Sequence, residues 1–223
     1  MPPRLIVSYD GTTNDDDALA LGSMLASGGS TLALAYVRHS HEYDPAREAI
    51  AEHDAERRLE HGRTWLGDPD VRSHVVLNPS TGAGLGQLAA AEQASAVVFG
   101  SDYRTPPGRV EPGGAAQVLL SGGTVAVAVA RAGLRLDGHG RIATISVSPS
   151  EEDSAAQETA ASLAEALGAE LVPAEDGTAD LIVVGSSPTA RPGQVALSGA
   201  ARSKLDSARS SVLVIARETP IAF

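Results

Sequence analysis

The segment from Asp10 to Asp17 carries four carboxylates, Asp10, Asp15, Asp16 and Asp17, just after an apolar opening run. Acids at this density can hold a hard cation that activates water. They can equally open a helix, where Asn caps free backbone N–H groups and acids favour the positive end of the dipole. Ala18, Leu21 and Leu25 follow at helical spacing, which supports the second reading with Asn14 as the cap. His39, His41, Glu42 and Asp44 form the one metal-like cluster. An H-x-H at a strand end supplies two ligands, and a third would have to come from His74 or Asp102. The polar surroundings of this cluster read instead as a solvated loop. Two glycine-serine steps, Gly100-Ser101 and Gly185-Ser186, end apolar runs. The loop after the first offers Arg104 and Arg109 to a phosphate.

Other chemistries fall away on residue types alone. Cysteine is absent, which removes disulfides, thiol nucleophiles, iron–sulfur clusters and Cys-type zinc sites and fits a reducing compartment. The single lysine, Lys204, follows Ser203, so no GxxxxGK phosphate loop exists. There is no G-x-S-x-G elbow. Gly82-x-Gly84-x-Gly86 follows the third apolar run rather than the first and reads as a loose helix start. His53 and His61 lie among Glu52, Glu56, Glu60, Arg57 and Arg58, the pattern of a solvated helix face. A net charge of −11 argues against nucleic acid and anionic membrane surfaces as partners. No apolar run approaches the roughly 20 residues of a membrane span. The apolar opening is also too short for a secretory leader, so the expected location is the cytoplasm.

These residues need a scaffold, and the patterning supplies one. Hydrophobic residues make up 43% of the 223 positions but aromatics only 3%, so the core must be Ala, Val, Leu and Ile. Arg4–Tyr9, Thr31–Arg38, Val71–Leu77, Ser95–Gly100 and Thr124–Ala130 read as strands. Helical spacing predicts helices after Thr12, over Pro45–Leu66, around Leu85–Glu92, and before Leu120. Strands alternating with helices imply crossover units and an open, mostly parallel five-stranded α/β sheet with helices on both faces. Arg131–Gly140 reads as a linker. The pattern then restarts, with strands over Ile142–Ser148, Glu170–Ala174, Leu181–Gly185 and Ser211–Ala216 and helices over Glu151–Leu167 and Ala200–Ala208.

The second half is a shortened copy of the first. VVFGSDY at 97–103 matches IVVGSSP at 182–188, an offset of 85, and AVAR at 128–131 matches VIAR at 214–217. An offset of 138 aligns Asp10-Gly11-Thr12 with Ser148-Pro149-Ser150. The difference of about 53 residues corresponds to the charged helix, third strand and third helix of copy one. The division expected is residues 1–131, a linker 132–140, a shortened unit 141–218 and a tail 219–223. A truncated second unit leaves a sheet edge to be covered, so a homodimer is expected.

This arrangement, with Asp-Gly-Thr after the first strand and Val-Val-Gly-Ser after the eighth, resembles the universal stress protein family in tandem form, over nearly the whole chain. The resemblance implies the adenine-nucleotide-hydrolase-like fold and a cytoplasmic, non-enzymatic stress-response protein with at most incidental ATP hydrolysis. It also implies pairing of Thr124–Ala130 with Ser211–Ala216. Nucleotide-binding members carry G-x2-G-x9-G-[ST] after the fourth strand. Here Gly100 and Gly113 fit, whereas Tyr103 replaces the middle glycine and Gly114 the final Ser/Thr. The family's base-end positions map to Asp10 and Val37. ATP with Mg²⁺ is the implied ligand, held by Asp10, Val37, Gly100, Tyr103, Gly113 and Gly114. Tyr103 is expected to crowd the phosphates and to strain its φ, and in copy two Pro188 removes a donor. A degenerate interaction module without nucleotide is the alternative. A remote one is a nucleoside hydrolase, whose DxDxxxDDAxAL opening resembles Asp10–Leu21, although Asp10 precedes Asp16 by six residues and Ser8 stands where an acid belongs.

Overall fold

Short β-branched apolar runs become strands, and the Ala-rich or amphipathic stretches between them become helices. The computed structural model describes residues 3–137, 140–148, 153–173 and 179–223. In chain order the elements are β1 (Arg4–Ser8), α1 (Thr13–Ala26), β2 (Thr31–Arg38), α2 (Pro45–Leu66), β3 (Arg72–Leu77), α3 (Thr81–Glu92), β4 (Ala96–Phe99), α4 (Gly114–Leu120) and β5 (Ala126–Val129). After a 3₁₀ turn at Leu134–Asp137 come β6 (Thr144–Ser148), α5 (Ala155–Leu167), β7 (Glu170–Val172), β8 (Leu181–Gly185), α6 (Gly199–Ser207) and β9 (Ser211–Ile215).

The nine strands among the described residues join one sheet in the order β3-β2-β1-β4-β5-β9-β8-β6-β7. Every pairing is parallel except that of β5 with β9, where Val127, Ala128 and Val129 face Val214, Leu213 and Val212. The expected contact between the last strands of the two halves is therefore present. α1, α2 and α5 cover one face through Leu19, Leu59 and Leu163, over Leu5, Val98, Ile145 and Leu213. α3, α4 and α6 cover the other through Leu85, Leu119 and Leu205, over Ile6, Val127, Ile182 and Val214. Burial on both faces explains why the central strands read as continuous apolar runs.

Several boundaries move, each for a local reason. α3 begins at Thr81 rather than Leu85, because the Ser80 hydroxyl accepts from the Ala83 amide and caps it. Gly82, Gly84 and Gly86 thus lie inside a helix. The predicted linker holds the 3₁₀ turn, tied to α1 by Asp17. β7 stops at Val172, and Ala174 lies outside the described residues.

Register also corrects the alignment of the opening strands. Leu5 pairs with Ala96 in the first half, and Ile145 pairs with Leu181 in the second. Since Ala96 and Leu181 are 85 apart, Leu5 corresponds to Ile145, an offset of 140 rather than 138. Asp10 then corresponds to Ser150, not Ser148, and Ser150 lies outside the described residues. A slip of two leaves every side chain on the same face of a strand, so apolar patterning could not separate the two offsets.

Candidate functional site

The strand order reverses between β1 and β4, and the segments leaving their carboxyl ends diverge there, the usual ligand position in an open α/β sheet. Tyr9 continues β1, its amide donating to the Ala35 carbonyl at 2.9 Å. Its buried hydroxyl lies 2.8 Å from His61 Nδ1 and 3.3 Å from Asp16 Oδ1. Burial, followed by the charge of Asp16, pushes the Tyr9 hydroxyl well above its ordinary range. His61 is therefore tied to the core of the site by a polar contact and is not simply a solvated position.

Gly11, at φ +87°, turns the chain sharply into α1. The N-cap is Thr12, not Asn14. Asp15 Oδ2 accepts from the Asp10 amide at 3.1 Å, the Thr12 amide at 3.0 Å and the Thr12 hydroxyl at 2.7 Å. Burial first, and the adjoining Asp10 carboxylate second, push the Asp15 carboxyl up to about 7. Asn14 lies within the helix and donates from Nδ2 to the Ser101 carbonyl at 3.0 Å, fastening α1 to the loop after β4. Asp16 turns to Tyr9, and its carboxyl is raised, chiefly by burial. Asp17, 1% exposed, accepts from the Gly133 and Arg135 amides at 2.8 and 2.9 Å and from the Arg135 guanidinium at 3.0 Å. Three adjacent carboxylates thus serve three different partners and do not converge on one cation.

The histidine cluster is likewise divided. His39 Nε2 meets the Thr81 hydroxyl at 2.9 Å, His41 pairs with Glu48, and Asp44 caps α2 through the Ala46 amide. Arg38 grips Glu48 through two hydrogen bonds of 2.9 and 2.7 Å and holds its carboxyl low, at about 2. Among the described residues no group of three or more His, Asp or Glu is placed to hold a metal ion.

A cleft of 170 Å³ opens at this end of the sheet, with Asp10, Asp15, Tyr36, Val37, Arg58 and Thr81 among its walls. Arg58 lies 5.4 Å over the Tyr36 ring and donates to the Asp10 carbonyl. Of the base-end positions named from sequence, Asp10 and Val37 both line this cleft. Tyr36, Asp15 and Arg58 were missed. Arg58 borders the buried stripe of α2 at Ala55, Leu59 and Gly62, which was the available signal. A roomier cavity of 530 Å³ lies at the opposite end, under the amino ends of β1–β3.

The loop after β4 is built on Ser101, whose buried hydroxyl donates to the Ala130 carbonyl at 2.7 Å and accepts from the Glu111 amide at 3.2 Å. Ser186 makes the same two bonds, to Ile215 and from Ala196, at the same distances. Gly108 and Gly193 stand at φ +76° and +75° in the two loops. Gly100 is required by packing, since a Cβ there would fall 2.0 Å from the Asn14 carbonyl oxygen. Gly113 has an ordinary φ of −66° and starts α4 without a side-chain cap. A Cβ on Gly114 would meet nothing within 4 Å.

Tyr103 is 70% exposed. Among the described residues only Gln93 and Glu218 are non-glycines with positive φ, so Tyr103 carries no backbone strain, contrary to expectation. Its ring lies 4.9 Å under the Arg104 guanidinium. Arg109 reaches the Ser207 carbonyl at 3.4 Å. Neither arginine is engaged at the start of α4. The side chain that stands there is Asp102, whose Oδ2 lies 3.9 Å from where a Cβ on Gly113 would be.

Three solved structures share this fold along nearly the whole chain. A universal stress protein from Archaeoglobus fulgidus DSM 4304 superposes with a TM-score of 0.72 at 13% identity, covering 97% of this chain and 98% of that one. A putative universal stress protein from Pseudomonas aeruginosa UCBPP-PA14 gives 0.61 at 14% identity, over 98% and 94%. A functionally unknown protein from Pseudomonas aeruginosa PAO1 gives 0.59 at 13% identity, over 97% and 93%. No family model matches the chain, and no curated protein does. The fold is that of the universal stress proteins: a large, mostly parallel sheet flanked by helices.

Proposed function

We propose that this chain is a cytoplasmic, non-catalytic stress-response regulator of the universal-stress type. It consists of one full unit and one shortened copy, and the full unit responds to an adenine nucleotide. The observation that carries the reading is the cleft at the carboxyl ends of β1 and β2, where Asp10 and Val37 share the walls. In this reading the base enters beside Val37 and Tyr36, and the ribose meets Asp10. The phosphates of ATP, with Mg²⁺, extend toward Gly113 and Gly114. The cleft is smaller than the ~300 Å³ of common ligand sites and takes the base end alone, leaving the rest on the surface. Calorimetric titration with adenosine, AMP and Mg-ATP tests this. Micromolar to millimolar binding that weakens at least ~10-fold in Asp10→Ala is the expected result. No heat with any of the three would favour a second reading, an interaction module with no small ligand. That reading draws on Asp102 beside Gly113 and on the placement of Arg104 and Arg109.

The proposal includes a homodimer. β9 already occupies the edge of β5, so a second copy has only β3 and β7 to pair with. β3 is the longer of the two, and Val75 and Leu77 are exposed on it.

A further inference from the structure

We infer that the cavity of 530 Å³ at the amino ends of β1–β3 is a second ligand site, and that it takes a small carboxylate with a flat, mostly apolar body. It lies at the opposite end of the sheet from the cleft at Asp10 and Val37, so it stands apart from the nucleotide reading. Its volume falls within the roughly 300–1,000 Å³ of common ligand pockets. Strand register explains why space is left there. Ile6, Ala33 and Arg72 lie side by side on β1, β2 and β3. Ile6 belongs to the face that α3 covers, so its two neighbours do as well. Ala35, two residues on, is 1% exposed in the same cluster, but α3 ends at Glu92 and leaves Ala33 half-buried. A methyl group between longer side chains on the flanking strands makes a trough with an apolar floor.

The charged groups around the trough are unequally committed. Arg4, on the same face of β1, donates to the Glu92 carbonyl at 2.9 Å, with the Glu92 carboxylate 3.8 Å away. Glu92 thereby has its counter-charge. Arg72, across Ala33 on β3, is exposed and makes no hydrogen bond or ion pair among the described residues. His74, next along β3 on this face, also lines the cavity, and its buried Nε2 has no hydrogen-bond partner among the described residues. A guanidinium fork and an unmet ring nitrogen on one strand suit the two oxygens of a carboxylate. The other acids in the walls are Asp68 and Asp70, on the loop before β3. Asp68 accepts from the Asp70 amide at 3.0 Å, and both are exposed to water, where their charge is screened. A carboxylate held at Arg72 and His74 places the rest of the ligand over Ala33, where a flat apolar body fits.

The test uses benzoate, benzamide and benzamidine, which share one flat body and carry an anionic, a neutral and a cationic head. Each is titrated at near-neutral pH into the isotope-labelled whole chain while NMR follows the backbone amides. Benzoate is expected to shift Ala33, Arg72 and His74 with a millimolar or tighter dissociation constant, at least ~5-fold tighter than benzamide, with benzamidine weakest. Arg72→Gln, at an exposed edge position, should bring benzoate down to the level of benzamide. Ala33→Leu fills the trough and should abolish both, with a melting curve to show that the variant is folded. Benzamidine binding as tightly as benzoate would hand the site to Asp68 and Asp70 and overturns the inference. Equal binding of benzoate and benzamide overturns it too, as does an unchanged benzoate affinity in Arg72→Gln. Absence of saturable shifts at those amides removes the site altogether. None of these outcomes bears on the adenosine, AMP and Mg-ATP titrations, so the two readings fail separately.

Discussion

Gly100 and Gly114 look alike in sequence as members of one phosphate-loop pattern, yet their surroundings make them opposites. An added methyl at Gly100 collides with the first turn of α1, and one at Gly114 meets open space. Gly100→Ala is expected to cost about 3 kcal/mol as overpacking, whereas Gly114→Ala should be neutral or up to ~1 kcal/mol stabilising. Urea melts of the two variants check this, and similar values for both would return Gly100 to a ligand-binding role. Asp15 makes a second prediction. Its folded carboxyl titrates at about 7, well above the 3.8 of an unperturbed aspartate. The folded state therefore holds a proton that the unfolded state has lost between those two values. That stability is fully present below pH 4 and is lost as pH rises through 7. Asp15→Asn imitates the protonated form. It should leave the melting temperature unchanged at pH 4 and raise it at pH 8, by on the order of 2–4 °C for each kcal/mol relieved. Equal melting curves at pH 8 would show that the pair is solvated and carries no such cost.

At the scale of elements, the regular pieces were legible because their signals are local. Thr31–Arg38 and Pro45–Leu66 match the predicted ranges in full, since each has its own periodicity and its own stop. What could not be read depends on partners distant in sequence. Nothing local distinguishes Asp17 from Asp15 and Asp16. Only Arg135 and the Gly133 amide, more than a hundred residues on, make it a buried anchor. Asp10 and Val37 could be assigned to one cleft through the resemblance to the universal stress proteins, but the Arg58–Tyr36 stack could not. Asp17→Ala leaves the Arg135 guanidinium and two amides without their acceptor, so a loss of about 3–5 kcal/mol is expected. Faster hydrogen exchange at the amides of Gly133 and Arg135 should accompany it. A loss below ~1 kcal/mol would mean that water replaces the carboxylate freely.

Across the whole molecule, the outer strands of the sheet differ in what they present. In β6, Ile145 and Val147 pack toward α5, while Thr144, Ser146 and Ser148 lie on the face that α3 covers in the first half. Ser146 is buried there and Thr144 and Ser148 are half-buried. The edge strand β3, by contrast, exposes the apolar Val75 and Leu77. Light scattering of the purified chain is expected to give twice 22.7 kDa, and Val75→Lys should return it to the single-chain mass. Dimer persistence in Val75→Lys would move the interface away from that edge. Among the described residues no helix is long and apolar enough to cross a membrane.

The antiparallel seam between β5 and β9 joins two half-sheets that a single polypeptide already connects. Two separate molecules meeting along such a seam would do so with a dissociation constant and would come apart on dilution. Here the encounter is a loop closure, whose entropic cost grows only with the logarithm of the intervening length. The effective concentration of one half for the other is fixed by the tether, whatever the abundance of the protein. The second half is thereby guaranteed its place without needing a ligand to hold it there, and substitutions in its own loop, such as Pro188 and Ser198, cost the assembly nothing at the seam.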